Sequence, residues 1–145
     1  FEDATKRSNY DVQKLLSIET TITRKEGTFE ASDEEDKING EGQIFYSDGG
    51  FKKGHFKDGR LEGPGTLRRW NGTIKEGEFY QDELNGQGII LFSDGFKLKG
   101  TFEHDKLHGI GCIKDINGFK AEGTFNQGWL EGPGKIIESD GTIKV

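Results

Sequence analysis

Apolar positions recur along this chain with a step of 23 residues: Phe56, Phe79, Phe102 and Phe125 keep it, and so do Leu61, Leu84, Leu107 and Leu130. Each phenylalanine closes a Gly-x-Phe triplet opened by Gly54, Gly77, Gly100 or Gly123, and each leucine precedes a Gly-x-Gly pair. Stepping by two from Leu61 gives Gly63, Gly65 and Leu67. That is strand periodicity, and Ile90, Ile113 and Ile136 take the place of Leu67 in later copies. Phe56 and Leu61 flank Lys57-Asp58-Gly59-Arg60, where Asp-Gly supplies the positive φ angles of a two-residue turn. Each copy therefore predicts a β-hairpin whose phenylalanine and leucine oppose each other on one apolar face.

A second set of turns lies between copies, at Asp48-Gly49, Asn71-Gly72, Asp94-Gly95, Asn117-Gly118 and Asp140-Gly141. Counting back from Gly77 puts Ile74 on the face opposite Phe79, whereas a two-residue turn at Asn71-Gly72 would put it on the apolar face. The conflict predicts a three-residue loop or a bulge there. The first copy is irregular, because Gly27 and Phe29 lie 27 residues before Gly54 and Phe56. The extra residues fall within Ser32-Asp33-Glu34-Glu35-Asp36, an acidic stretch that lengthens a loop. The organisation expected is an N-terminal cap or linker over 1–26, with a short helix or cap over 8–19, then a repeat domain over 27–145 in copies 27–53, 54–76, 77–99, 100–122 and 123–145.

Composition sharpens this picture at one point. Of 23 glycines, 20 fall in four columns of the repeat, so the excess is periodic rather than low in complexity. Glycine on the apolar side of a strand implies close approach by a neighbouring aromatic or backbone. The fold class is all-β: an elongated, twisted, single antiparallel sheet of about ten strands, on the order of 45–50 Å long before twist. Its apolar face calls for strong curvature, a partner sheet or the N-terminal segment as cover. A chain that begins at Phe1, contains no methionine and ends within a strand reads as a fragment of a longer protein. One cysteine, Cys112, and no targeting signal point to the cytoplasm or nucleus, with peripheral membrane attachment as a further option.

Catalytic and metal chemistry find little footing. The Gly-x-Gly pairs lead into strands rather than opening a helix, so they do not read as phosphate loops. His55, His104 and His108 lack a third ligand, Cys112 lacks a matching base, and the carboxylates sit at turn tips and outer positions. No catalytic, cofactor-binding or metal-binding residue is expected within this stretch. The net charge of −6 argues against nucleic acid as a partner.

Charge distribution says more. Residues 50–75 carry seven basic and two acidic side chains, a balance of +5, while 1–49 carry −6 and 76–145 carry −5. Lys53, His55, Lys57, Arg60, Arg68 and Arg69 are the candidate residues for an acidic partner or an anionic ligand. Alternation puts Lys53, His55, Lys57 and Arg68 on the outer face, and Lys52 and Arg69 on the apolar side. Trp70, before an inter-copy turn, and Trp129, beside a hairpin turn, are candidate interface anchors.

The unit Gly-x-Phe-x4-Leu-x-Gly-x-Gly-x-Ile/Leu-x4-Gly, with His108-Gly109-Ile110-Gly111, resembles the MORN repeat (membrane occupation and recognition nexus). The resemblance implies stacked twisted hairpins and a role in protein interaction, scaffolding or homodimer formation. It also implies two alternatives: a regulatory or substrate-positioning domain of a larger enzyme, such as a SET-domain lysine methyltransferase or a lipid kinase, and binding of anionic phospholipid. The family usually places tyrosine two residues before the opening glycine, where this chain has Lys25, Lys52, Lys75, Leu98 and Ala121.

Overall fold

The computed structural model describes residues 22–27 and 38–145. They form eleven strands, hydrogen-bonded in chain order into one antiparallel sheet. These are β1 (Ile22–Gly27), β2 (Gly40–Tyr46), β3 (Phe51–Lys57), β4 (Arg60–Arg68), β5 (Ile74–Tyr80), β6 (Glu83–Leu91), β7 (Lys97–Glu103), β8 (Lys106–Lys114), β9 (Lys120–Asn126), β10 (Trp129–Ile137) and β11 (Ile143–Lys144). No helix occurs among the described residues. The helix or cap expected over 8–19 and the acidic insertion within 32–36 lie outside them.

The sheet starts earlier than the expected boundary at Gly27. β1 lies almost wholly within the 1–26 segment, and it pairs with β2 so that Gly27 opposes Gly42. A copy boundary drawn at the opening glycine cuts through a strand, since β3, β5, β7 and β9 each begin three residues before theirs. The five pairs Gly27–Gly42, Gly54–Gly65, Gly77–Gly88, Gly100–Gly111 and Gly123–Gly134 are the repeat seen in three dimensions.

Two kinds of turn alternate. Within each repeat, Asp58-Gly59, Gln81-Asp82, His104-Asp105 and Gln127-Gly128 all take positive φ at both positions, the primed turn that matches strand twist. Between repeats, the N–H of Arg69 donates to Thr73 O (2.8 Å) and that of Gly72 to Arg69 O (3.0 Å), which closes a three-residue loop ending in a left-handed glycine. Gly49, Gly72, Gly95, Gly118 and Gly141 hold φ between +89° and +94°, so the loop predicted from the misplaced Ile74 recurs five times. Asp or Asn two residues upstream accepts from the backbone in several of these loops, as Asn71 Oδ1 does from Thr73 N (3.0 Å). At the last loop the same bond from Thr142 holds the Asp140 carboxyl below its ordinary value. Any stability this adds is present above the usual carboxylate pKa and is lost as pH falls through the lowered one.

One register feature was not legible in the alternation. Phe56 opposes Leu61 as expected, but Gly54 opposes Gly65 rather than Gly63, so β4 spends four residues where β3 spends two. The same shift recurs between β5 and β6, β7 and β8, and β9 and β10. Even-numbered extras keep the faces in phase while bending the sheet. Gly63 (φ +81°) has open space where a Cβ would stand, so its backbone angle, not crowding, demands glycine. Gly77 is the opposite case, because a Cβ there would sit 2.3 Å from Gln87 O and 2.6 Å from Gly88 Cα.

The core runs along the apolar face. Phe56, Phe79, Phe102 and Phe125 are at most 4% exposed, and Leu61, Leu84 and Leu107 at most 1%. Each such side chain contributes roughly 1.5–3 kcal/mol by burial. Two of the lysines at the family's tyrosine position lie in this face: Lys52 Nζ donates to Asp82 Oδ2 (2.7 Å) and Lys75 Nζ to Asp105 Oδ2 (2.6 Å). The other oxygen of each aspartate accepts from the preceding repeat, Asp82 from Leu61 N (2.9 Å) and Asp105 from Leu84 N (2.8 Å). Lysine and aspartate are 30 residues apart in both pairs; at the next such spacing stand Leu98 and Gly128, so charge is lost from both partners together. Neighbouring repeats are thus joined by ionic clasps where the sequence carries both members.

Candidate interaction groove

Where β2 and β4 end and β3 and β5 begin, residues of the strands and the inter-repeat loops line an open groove of about 380 Å³. Leu67, Lys75 and the Lys52–Asp82 pair form its floor, and Arg69 and Trp70 its rim. The floor is fixed by the two clasps, with the Lys75 side chain only 5% exposed. The rim is solvated: Trp70 is 72% exposed, and Arg68 and Arg69 are exposed without an ion pair among the described residues. A fixed polar and apolar floor beside an exposed aromatic and the Arg69 guanidinium favours an anionic ligand with an apolar portion.

The candidate residues divide among three places. Arg68, Arg69 and Trp70 come together at the groove, Arg68 on the outer face between Phe51 and Ile74 in register. Lys57 and Arg60 oppose each other across the Asp58-Gly59 turn, at the far end of β4 from Arg68, a span of six residues along the paired β3, about 20 Å. Lys53 lies in an outer row where Glu26 and Glu76 stand two strands to either side. The ring of His55 is 2.9 Å from Glu41 Oε1. Trp129, 77% exposed, opens β10 at the opposite long edge of the sheet. The seven basic residues of 50–75 therefore do not make one patch.

Reading by segment missed Tyr46, Lys52 and Asp82 at the groove. Lys52 Nζ lies 5.6 Å from the centroid of the Tyr46 ring, in cation–π range. The signal for Asp82 was present as an aspartate in the second turn position, which takes a left-handed angle and aims its carboxylate back at the preceding repeat. Among the described residues, no group of three His, Cys, Asp or Glu side chains could hold a metal ion, and no helix is long and apolar enough to cross a membrane.

No curated protein matches the chain. The MORN repeat model matches four consecutive stretches, 53–74, 76–97, 99–119 and 122–143. The β1–β2 hairpin lies outside them but shares their glycine–glycine pairing. Each match spans one hairpin and its outgoing loop, the unit from which the groove is built, and the chain belongs to the MORN-repeat family.

Proposed function

We propose that this chain is a non-catalytic protein-interaction module that seats an acidic segment of a partner in the groove under Trp70. The observation that carries the reading is the exposed Trp70 side chain beside Arg68 and Arg69, above a floor held by two ion pairs. Tryptophan and arginine dominate interface hot spots, and a pre-fixed floor lowers the ordering cost of binding. Panning a random peptide display library against the chain should enrich sequences with two or more carboxylates near an apolar residue. Trp70→Ala and Arg69→Glu, both solvated positions, should leave folding within about 0.5 kcal/mol of wild type and weaken the selected peptides at least roughly tenfold. Enrichment of sequences without acidic residues, or undiminished binding by both variants, would refute the proposal.

The same tip favours a second reading, in which Trp70 and the two arginines engage anionic phospholipid. Vesicles containing phosphoinositide should then sediment the chain at low salt, and Arg68→Glu/Arg69→Glu should abolish it. Lys53→Glu/Lys57→Glu, whose positions lie away from the tip, should change sedimentation little. Absence of sedimentation at low salt would end this reading.

A further inference from the structure

The outer face carries a second site, on strands remote from the groove. Register places Lys97, Lys114 and Lys120 side by side on β7, β8 and β9. Strands lie about 4.8 Å apart, so three ammonium stems share roughly 10 Å, and like charges directly opposite destabilise a sheet. Lys99 adds a fourth, two residues along β7 on the same face. The carboxylate paired with this group is Glu122, 3.2 Å from Lys120 Nζ, while Lys97, Lys99 and Lys114 have no ion pair among the described residues.

Elsewhere the same face keeps its charges apart. The adjacent row reads Glu26, Gln43, Lys53, Thr66, Glu76, Ile89, Lys99, Cys112, Glu122 and Lys135 in register across ten strands, with signs alternating and mostly separated by neutral residues. The lysine trio breaks that rule in a chain of net charge −6. The four lysines line a cleft of about 240 Å³ with Cys112 and Glu122. Past Lys99, Cys112 and Glu122 the cleft runs into a broader trough of about 800 Å³, floored by Gly100, Gly111 and Gly123 and ending at Ile110, which is 77% exposed. Lys114 and Ile110 are four residues apart on β8, about 13 Å.

We infer that this trough docks an extended acidic segment of a partner protein, its carboxylates or phosphates on the lysines and an apolar side chain against Ile110. The spacing selects the ligand: an extended peptide advances about 3.3 Å per residue, so the acidic and apolar groups stand four residues apart. A small anion needs no trough or Ile110, and a membrane surface has no use for a cleft. This surface is separate from the Trp70 groove, and its occupant is read from different residues.

Fluorescence anisotropy on the full chain tests it, with a labelled peptide Glu-Glu-Glu-Ser-Thr-Leu and the same peptide with phosphoserine in the serine position. The unmodified peptide should bind at low salt, Lys97→Glu/Lys114→Glu should weaken it at least about tenfold, and Ile110→Ser or loss of the peptide leucine roughly fivefold. The phosphorylated peptide should bind at least as tightly. Trp70→Ala should leave these values unchanged, which separates a failure here from a failure of the groove. Lys114→Glu alone should raise the melting temperature, because it removes two like-charge contacts. Several results would overturn the inference: no binding, equal binding of a peptide lacking leucine, competition by pyrophosphate at equal concentration, binding of anionic vesicles in preference to peptide, or a lowered melting temperature of Lys114→Glu.

Discussion

Replacing Asp105 by asparagine should destabilise the protein by about 3 kcal/mol, read from urea unfolding, because it strands the buried Lys75 ammonium without its counter-charge. Asparagine tolerates the left-handed turn angle at that position (φ +66°) and still accepts from Leu84 N, so the loss isolates the charge. The chain supplies its own rescue. Thirty residues separate Lys75 from Asp105, and the same spacing in the next repeat joins Leu98 to Gly128, an uncharged solution on the same scaffold. Lys75→Leu/Asp105→Gly should therefore return to within about 1 kcal/mol of wild type or exceed it, as buried ion pairs replaced by apolar groups often do. If the double variant is as unstable as Asp105→Asn, the loss does not come from the stranded charge.

Gly77→Ala should cost about 2–5 kcal/mol, the sum of left-handed strain at φ +147° and a methyl group forced against backbone. The neighbours at 2.3 and 2.6 Å are main-chain atoms of β6, which cannot rotate away. Gly49→Ala is the control: it has a comparable left-handed angle (φ +91°) but nothing within 4 Å, and should cost only about 1–2 kcal/mol. Equal losses at the two positions would mean that backbone angle alone explains the columns.

The hairpins were legible because turn chemistry and strand alternation agree: Asp58-Gly59 fixes one end of a repeat, and the parity of Ile74 fixes the loop at the other. The four-against-two register at Gly54 and Gly65 was hidden, since two extra residues leave every side chain on its expected face. That Ile22–Gly27 already belongs to the sheet was hidden too, because a glycine marks the middle of a strand as readily as its edge. Of the candidate site, Arg68, Arg69 and Trp70 could be grouped from adjacency in the chain. Lys57 and Arg60 could not be separated from them by charge counting, which ignores that a strand carries residues apart. The lysine trio on β7, β8 and β9 was missed for the converse reason: Lys97, Lys114 and Lys120 are distant in sequence and become neighbours only through register.

On the proposed function, the groove lined by Trp70 is where this module meets its partner. The most direct measurement is two-dimensional NMR of the isotope-labelled chain, carrying Lys97→Glu/Lys114→Glu to close the outer trough, titrated with the acidic peptide selected by panning. The largest shifts should fall on the Trp70 indole N–H and on the amides of Leu67, Arg69 and Lys75, with the resonances of β8 and β9 unmoved. Shifts confined to the outer face, or none at saturating peptide, would contradict it.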